Sequence, residues 1–424
     1  MTTALARLSQ NNQHRNLRFN ILHEFFFGFG IAFNDVSTIL PLFMTLLGAP
    51  LAIAGSMAGL LAILMAAPQL ISALLARNTV NIRAATVKVH LTMLPPIFTA
   101  GFVFAFFVPT GPSAWIFYYI CFIFYALGIG FIIPIWTNFL KHVTDRKNRG
   151  TFLGISFIGN SIGGFIGGIV VRNLLGSSIP FPANFGWGFI ILGIALIFSI
   201  AAYLGFKVKN SAHHPKKRTV SDFITETKTL LKSNQNFRRY IYSRIFLTAQ
   251  FPAISLYAVY ARDLFQFDVS EAGFLTAARL VAFGLGSIVA GKIGDRISHK
   301  SAMAFCFLCH TLAMGTALTA QSMFWVYGIF IFLGMAQGAF MPAAMSLVFD
   351  FAGEDGDNKM IMALIDTILC PFILIAITLG GLLAETVSLT FLFRILGMAM
   401  LTGFLIIIFL VKNPHQVPII DSNQ

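Results

Sequence analysis

Twelve long apolar segments alternate with short polar ones along nearly the whole chain, over about 20–46, 51–76, 86–108, 114–139, 150–174, 186–207, 239–262, 270–292, 301–321, 324–349, 359–384 and 388–411. A helix needs roughly 20 apolar residues to cross a hydrocarbon core of about 30 Å. The pattern therefore predicts an all-α polytopic membrane protein with twelve transmembrane helices. The first nineteen residues are polar and basic and lead into a run of full span length, so the first segment reads as a start-transfer helix rather than a cleaved leader.

The polar connections fall into two alternating kinds. Basic residues fill the N-terminal arm (Arg7, Arg15, Arg18), the second connection (Arg77, Arg83), the fourth (Lys141, Arg146, Lys147, Arg149), the long sixth and the eighth (Lys292, Arg296, Lys300). The connections near Gly48, Pro112 and Ser322 carry no Lys or Arg. Positively charged loops stay in the cytoplasm. The expected topology has an even number of spans in an inner, plasma-type membrane, with both termini cytoplasmic.

Composition then changes one reading. A net charge of +13 by itself suggests nucleic acid. Here nearly all of it sits in the inferred cytoplasmic connections, so it is topological, and its ordinary partner is the anionic inner leaflet of the lipid bilayer. Charged residues make up only 11% of the chain, and mean hydropathy is +0.80. No nucleic-acid partner is expected. The four cysteines all lie in apolar segments and form no disulfide framework. Cys306-Phe-Leu-Cys309-His310 has the spacing of covalent haem attachment. It lies within a span, where small packing residues are the simpler reading.

The polar, basic stretch 208–238 divides the spans six and six. The expected organisation is an N-terminal six-helix bundle over 1–207, a cytoplasmic basic linker over 208–238 with an amphipathic helix near Ser221–Lys232, and a C-terminal six-helix bundle over 239–424. The two bundles are expected to be related by pseudo-two-fold symmetry, a common plan for secondary transporters. Glycines recur through the fifth span, including Gly159, Gly163, Gly164, Gly167 and Gly168, where small residues let helices in lipid approach closely. Several spans contain proline, among them Pro95, Pro96, Pro134, Pro252, Pro342 and Pro371, which can bend a helix.

On these features the chain resembles the major facilitator superfamily of membrane transporters along almost its whole length. The sharpest local match is Gly291-Lys-Ile-Gly294-Asp295-Arg296-Ile-Ser298-His299-Lys300, similar to that family's cytoplasmic loop motif. Ser298 stands where glycine is usual and His299 where arginine is usual. The resemblance implies a cytoplasmic gate motif formed by Gly291, Asp295, Arg296 and Lys300, in which the aspartate engages helix ends. The equivalent first-half loop, Ala76 to Arg83, lacks a carboxylate. The fifth-span glycines resemble an antiporter pattern, with Gly164 in place of its proline. Thr38, Pro41, Phe43, Pro68 and Gln69 resemble a poorly characterised bacterial branch of the superfamily.

Ionisable groups at bilayer depth cost about 3 kcal/mol each on insertion scales, so they are functional candidates by default. Asp35, beside Asn34, lies well inside the first span. Low dielectric favours the neutral form of a carboxyl group, which suits loading and release of a proton, and Asp35 is the proton-coupling candidate. A structural hydrogen bond to a neighbouring helix is the alternative. Arg279 and Asp366 have similar depth and opposite sign, so a pair between them is expected. Alternatively Arg279 or Arg244 receives an anionic substrate group through its two-pronged fork. Glu24 is expected to reach water near the end of the first span, and Arg394 to snorkel. Asn34, Trp136, Asn138, Gln250 and Tyr257 complete the candidate substrate residues, on spans that line the central cavity in the resembled family.

The function expected is a secondary active transporter that moves a small organic solute by alternating access with proton coupling. A drug or metabolite exporter, working as a proton antiporter of the same fold, is the second reading. A non-transporting membrane receptor or scaffold is the third. No P-loop, H-E-x-x-H spacing or nucleophile elbow occurs, so no enzyme activity is expected. The expected partners are a small-molecule substrate, protons and the bilayer, with no cofactor or metal, and the chain is expected to work as a monomer.

Overall fold

The structure is a computed structural model that describes residues 2–69, 71–72, 81–144, 149–208, 231–232, 234–352 and 358–413. The linker helix expected near Ser221–Lys232, the basic loop around Arg146 and the acidic loop around Asp355 lie mostly outside them. Every regular element among the described residues is a helix. Ten of these are long and apolar enough to cross a membrane: Asn11–Leu46, Ile82–Phe107, Pro112–Val143, Phe152–Leu175, Ala183–Gly205, Glu271–Arg296, His299–Thr319, Met323–Phe351, Leu364–Thr386 and Leu389–Leu410. The predicted second span appears as the shorter apolar helix Leu51–Ala66. The predicted seventh appears as two helices, Gln235–Leu247 and Gln250–Phe265.

Three of the spans are interrupted, each a few residues before a proline. The first runs as a helix to Ile31, tightens over Ala32–Asn34, opens at Asp35 and resumes over Ile39–Leu46, which contains Pro41. The third breaks between Ile82–Leu91 and Leu94–Phe102, which opens with Pro95 and Pro96. The seventh breaks at Thr248 and Ala249, ahead of Pro252. A proline lacks the N–H that would reach back to residue i−4, and its ring clashes with that carbonyl. Pro134, Pro342 and Pro371 lie inside continuous helices instead.

The chain divides into two compact units. One comprises Met1–Pro215 with Ala258–Val281, and the other Lys216–Tyr257 with Ala282–Gln424. The seventh and eighth spans are thus each shared between units, which the sequence division at the linker does not anticipate.

In the first unit the fifth-span glycines form two edges. A β-carbon on Gly159, Gly163 or Gly167 would run into the backbone of Ile21, Phe25 or Phe29 of the first span, each glycine four residues from the next. On the other edge, a β-carbon on Gly164 would meet the Leu280 side chain at 2.5 Å and one on Gly168 the Gly273 carbonyl oxygen at 2.6 Å. In lipid, apolar surface gives helices little drive to pair, so van der Waals contact at small residues does this work. The glycine pattern is thereby accounted for by packing on the first and eighth spans. Elsewhere in the unit, Phe43 is ringed by Phe104, Tyr118, Phe185 and Phe189, with centroids 4.8–5.4 Å apart. Phe139, Tyr203 and Phe206 anchor a second buried cluster with Ile82 and Leu140.

Each unit is fastened by the same device. Asn16 donates through Nδ2 to the Lys207 carbonyl (2.9 Å) and accepts through Oδ1 from the Lys207 N–H (2.8 Å). Asn236 does the same to Lys412, donating to its carbonyl at 2.8 Å and accepting from its N–H at 2.7 Å. In both cases the amide stands near the start of its bundle's first span and reads the backbone just past the end of the sixth or twelfth. The internal repeat inferred from span counting is therefore visible at single-residue level. Eight residues beyond each clamp stand Glu24 and Arg244, of opposite charge.

Candidate functional site

The break in the first span creates a polar buried point in the first unit. Asp35 adopts an extended conformation with φ −68° and ψ 121°. Its Oδ1 accepts from the Ser37 N–H at 2.8 Å, from the Ser37 hydroxyl, and from the Thr38 hydroxyl at 3.2 Å. Asp, Ser and Thr side chains satisfy backbone groups in this way wherever a helix restarts. The local sequence Asn34-Asp-Val-Ser-Thr38 thus builds its own cap inside the membrane, and the carboxylate leaves Oδ2 over. That oxygen accepts from Nη2 of Arg279 in an ion pair. Both side chains are buried, Asp35 at 2% and Arg279 at 7% residue exposure.

The Arg279 side of the pair rises from the eighth span, Glu271–Arg296. Thr276 lies three residues before Arg279 on the same face, and its hydroxyl is 2.5 Å from that of Thr38. Charge therefore meets charge and hydroxyl meets hydroxyl across two short intervals. At the N-terminal end of this helix Arg172 pairs with Glu271 at 3.6 Å and lies over the Phe274 ring at 4.3 Å. In the loop before the span, Asp268 Oδ1 accepts from the Ser270 N–H at 2.8 Å. The Ser270 side-chain and backbone bonds hold the Asp268 carboxyl below the usual range.

Asn34 is drawn into the same region. Its Oδ1 accepts from the Tyr118 hydroxyl at 2.6 Å, and Tyr125, one heptad further along the fourth span, also bonds it. The fourth span is thereby tied to the break. Trp136 and Asn138 of the same span are half-buried, and the Trp136 indole nitrogen is buried without a partner.

The Arg279–Asp366 pair expected from depth and sign gives way to the pair with Asp35. Depth along two helices does not fix which faces meet, and the N-terminal part of the eighth span, up to Val281, belongs to the first unit. Asp366, half-buried in the second unit, lies within electrostatic reach of Arg244. Arg244 is 7% exposed, donates through Nη1 to the Tyr240 hydroxyl (3.0 Å), and lies over the Phe340 ring at 4.7 Å. Its Nε is buried without a partner, as is the Tyr257 hydroxyl, whose ring stacks on Phe393 at 5.0 Å. Gln250 is half-buried just past the seventh-span break.

In the loop motif between the eighth and ninth spans, Asp295 and Arg296 are exposed, and a β-carbon on Gly291 would meet open space. The contacts of this stretch within the second unit come from the residues that follow. Ser298 caps the next helix, His299 Nδ1 lies 2.8 Å from Asp350 Oδ2, and Lys300 Nζ donates to the Ile408 carbonyl at 2.7 Å. Cys306, Cys309 and His310 are buried in a continuous helix, so the haem-like spacing is a packing feature. Arg394 is exposed as expected. Glu24 is not: it is 4% exposed, and its Oε2 accepts from Asn160 Nδ2 at 3.0 Å. The sequence pattern also passes over His23 and His90. Each is an ionisable group inside an apolar run, which is the signal that could have found them.

The major facilitator superfamily profile matches residues 25–261 and again 241–422. The chain belongs to the major facilitator superfamily. Among solved structures, it is similar to a POT family transporter in complex with a thioalcohol-conjugated peptide, with TM-score 0.72 and 16% identity over 93% of this chain and 95% of that one. It is also similar to the nucleoside transporter NupG, with TM-score 0.70 and 13% identity over 94% of this chain and 100% of that one. Sequence relatives match shorter stretches. The multi-drug resistance efflux pump PmrA homolog of Lactococcus lactis is 27% identical over 136 residues, 32% of this chain and 33% of that protein. The niacin transporter NiaP of Acinetobacter baylyi is 23% identical over 95 residues, 22% of each chain. The matched stretches therefore span a third or less of these relatives. The chain is a multi-pass membrane protein of this superfamily.

Proposed function

We propose that the chain is a secondary active transporter that moves a small organic solute by alternating access, with proton movement coupled through Asp35. The observation that carries this reading is the division of labour within one carboxylate. Oδ1 is held by the cap of the broken first span, and Oδ2 holds Arg279. A proton on Asp35 removes the charge that Arg279 compensates, while the cap keeps the side chain in place. A broken helix in the membrane is also the usual setting for transporter ion and substrate sites. Arg279 holds Asp35, and Arg244 is the residue we assign to an anionic group of the solute. Asp366, Asn34, Trp136, Asn138, Gln250 and Tyr257 are the further substrate contacts of this reading. The chain works as a monomer in an inner, plasma-type membrane with both termini cytoplasmic, and Gly291, Asp295, Arg296 and Lys300 serve its cytoplasmic gate.

The partial likeness to a niacin transporter supports a small organic solute. The likeness to an efflux pump supports a second reading, proton-driven export of drugs or metabolites, in which the same carboxylate works with flux reversed.

A ligand screen by thermal shift finds the solute, since a ligand at 100 times its Kd stabilises the folded state by about 2.7 kcal/mol. In proteoliposomes, wild type then accumulates that solute against its gradient when a pH gradient is imposed. Asp35→Asn exchanges solute across the membrane but no longer accumulates it. Accumulation that survives in Asp35→Asn rejects the coupling role. The sidedness of accumulation separates import from export, and absence of any flux with a bound ligand favours a receptor or scaffold.

A further inference from the structure

A second set of buried titratable groups lies in the first unit, with no part in the reading above. The Tyr203 hydroxyl oxygen is 3.1 Å from His23 Nε2 and 3.2 Å from His90 Nε2. His90 Nδ1 is 2.7 Å from the Thr86 carbonyl oxygen. A carbonyl only accepts, so His90 Nδ1 carries a proton in every arrangement. His23 Nδ1 has two neighbours of different kinds, the Ser199 hydroxyl at 2.7 Å and the Ser199 carbonyl oxygen at 3.1 Å. The same hydroxyl can turn to donate to the His23 carbonyl, 3.0 Å away. All four side chains are buried, between 0% and 3% exposed.

Counting protons over these contacts gives a definite result. With no excess proton, one arrangement satisfies every group: Ser199 O–H donates to His23 Nδ1, His23 Nε2–H to Tyr203, Tyr203 O–H to His90 Nε2, and His90 Nδ1–H to Thr86. With one excess proton, two arrangements do so. In both, His23 Nδ1–H donates to the Ser199 carbonyl and the Ser199 hydroxyl turns to the His23 carbonyl. The charge then lies on His23, which donates to Tyr203 while Tyr203 donates to His90. Alternatively it lies on His90, with those two bonds reversed. The two differ by proton shifts across the Tyr203 oxygen. With two excess protons, both Nε2–H groups face that oxygen, the Tyr203 hydrogen has lost both acceptors, and two imidazolium rings stand 5.8 Å apart. Buried polar groups without partners and like charges at this separation are both costly.

We propose that His23, Tyr203 and His90 form a proton-binding site that holds none or one proton and never two. Glu24 follows His23 in the first span. It acts electrostatically on Tyr203 and is itself held by Asn160 of the fifth span. The fourth span contributes the Phe139 ring, 5.2 Å from that of Tyr203. The other cations of the packed helices stand towards their polar ends. Arg15, Arg18, Lys88, Lys141 and Lys207 are exposed, and Arg83 donates to the Phe206 carbonyl at 2.7 Å. His142 follows Lys141 at the end of the fourth span and is half-buried. The site is about 10 Å along the first helix from Asn16, at a helical rise of 1.5 Å per residue.

The test is heteronuclear NMR of the full-length protein in nanodiscs with isotope-labelled histidine, titrated from about pH 8 to about pH 4. His23 and His90 are assigned by His23→Gln and His90→Gln. The expected result is one proton's worth of imidazolium character divided between the two rings, with their signals moving together. Tyr203→Phe separates the two titrations, and Asp35→Asn leaves the shared one in place, so this site and the proposed coupling role fail independently. Both rings remaining neutral throughout, or both becoming full imidazolium, overturns the proposal from the wild-type protein alone.

Discussion

Gly168 and Gly273 meet backbone to backbone: a β-carbon on Gly273 would lie 2.5 Å from the Gly168 carbonyl oxygen, and one on Gly168 would lie 2.6 Å from that of Gly273. Neither neighbour is a flexible side-chain end, so the helices themselves must separate to admit a methyl group. Gly168→Ala is expected to lower stability by about 1–3 kcal/mol, the usual range for overpacking. Gly154 has nothing within 4 Å of its β-position. Gly154→Ala is expected to be neutral or to gain up to about 1 kcal/mol from helix propensity. Unfolding of both variants in detergent checks the contrast, and equal effects would refute it.

The Asp35–Arg279 pair predicts a strongly non-additive cycle. Asp35→Asn leaves a buried guanidinium without its counter-charge, and Arg279→Leu leaves a buried carboxylate. Each is expected to cost about 3–5 kcal/mol, and the double variant to recover most of that loss. Thermal unfolding of the four proteins measures the coupling. Additive losses would mean that the two residues act separately.

The twin clamps predict a penalty in each half, larger for Asn16, which also donates to the buried Val143 carbonyl at 2.9 Å. Asn16→Ala strips partners from both backbone groups of Lys207, and Asn236→Ala does the same to Lys412. These bonds are part-buried, so each one lost is expected to cost about 1 kcal/mol. Limited proteolysis is expected to open the chain after Lys207 in the first variant and after Lys412 in the second. Cleavage at the same place in both would break the equivalence.

Arg244 stacks on Phe340 and bonds Tyr240, a use of the planar fork that lysine cannot reproduce. Arg244→Lys is expected to keep the fold, lose about 1 kcal/mol and weaken an anionic ligand at least about tenfold, since one tenfold step is about 1.4 kcal/mol. Isothermal titration with a hit from the ligand screen decides this. Unchanged affinity removes Arg244 from the binding residues.

Span number, family and the candidacy of Asp35 and Arg279 as charges in apolar runs were legible because they depend on composition over windows of about 20 residues and on the cost of charge in lipid. The partner of Arg279 was not legible. Asp366 has the right sign and depth, but which helix faces another depends on glycine edges such as Gly164 and Gly168, whose contacts only the fold reveals. The broken first span was half-visible. Pro41 and the polar run Asp35, Ser37, Thr38 mark a restart, yet the surrounding hydropathy reads as one unbroken run. Glu24 looked close enough to water to need no partner, and Asn160 shows that it has one. His23 and His90 belong to the same class as Asp35, and the apolar runs around them hid the polar network that Ser199 and Tyr203 complete.

The two members of the central ion pair are separated by 244 positions, which at about 5–20 residues per second of synthesis is about 12–50 s. For that interval the first helix is already in the bilayer and the arginine has not been made. Ser37 and Thr38, which follow Asp35 directly, are the only described partners of its carboxylate present from the outset. The local cap therefore has a second duty in time: it shelters a lone carboxylate through biogenesis until the eighth helix arrives.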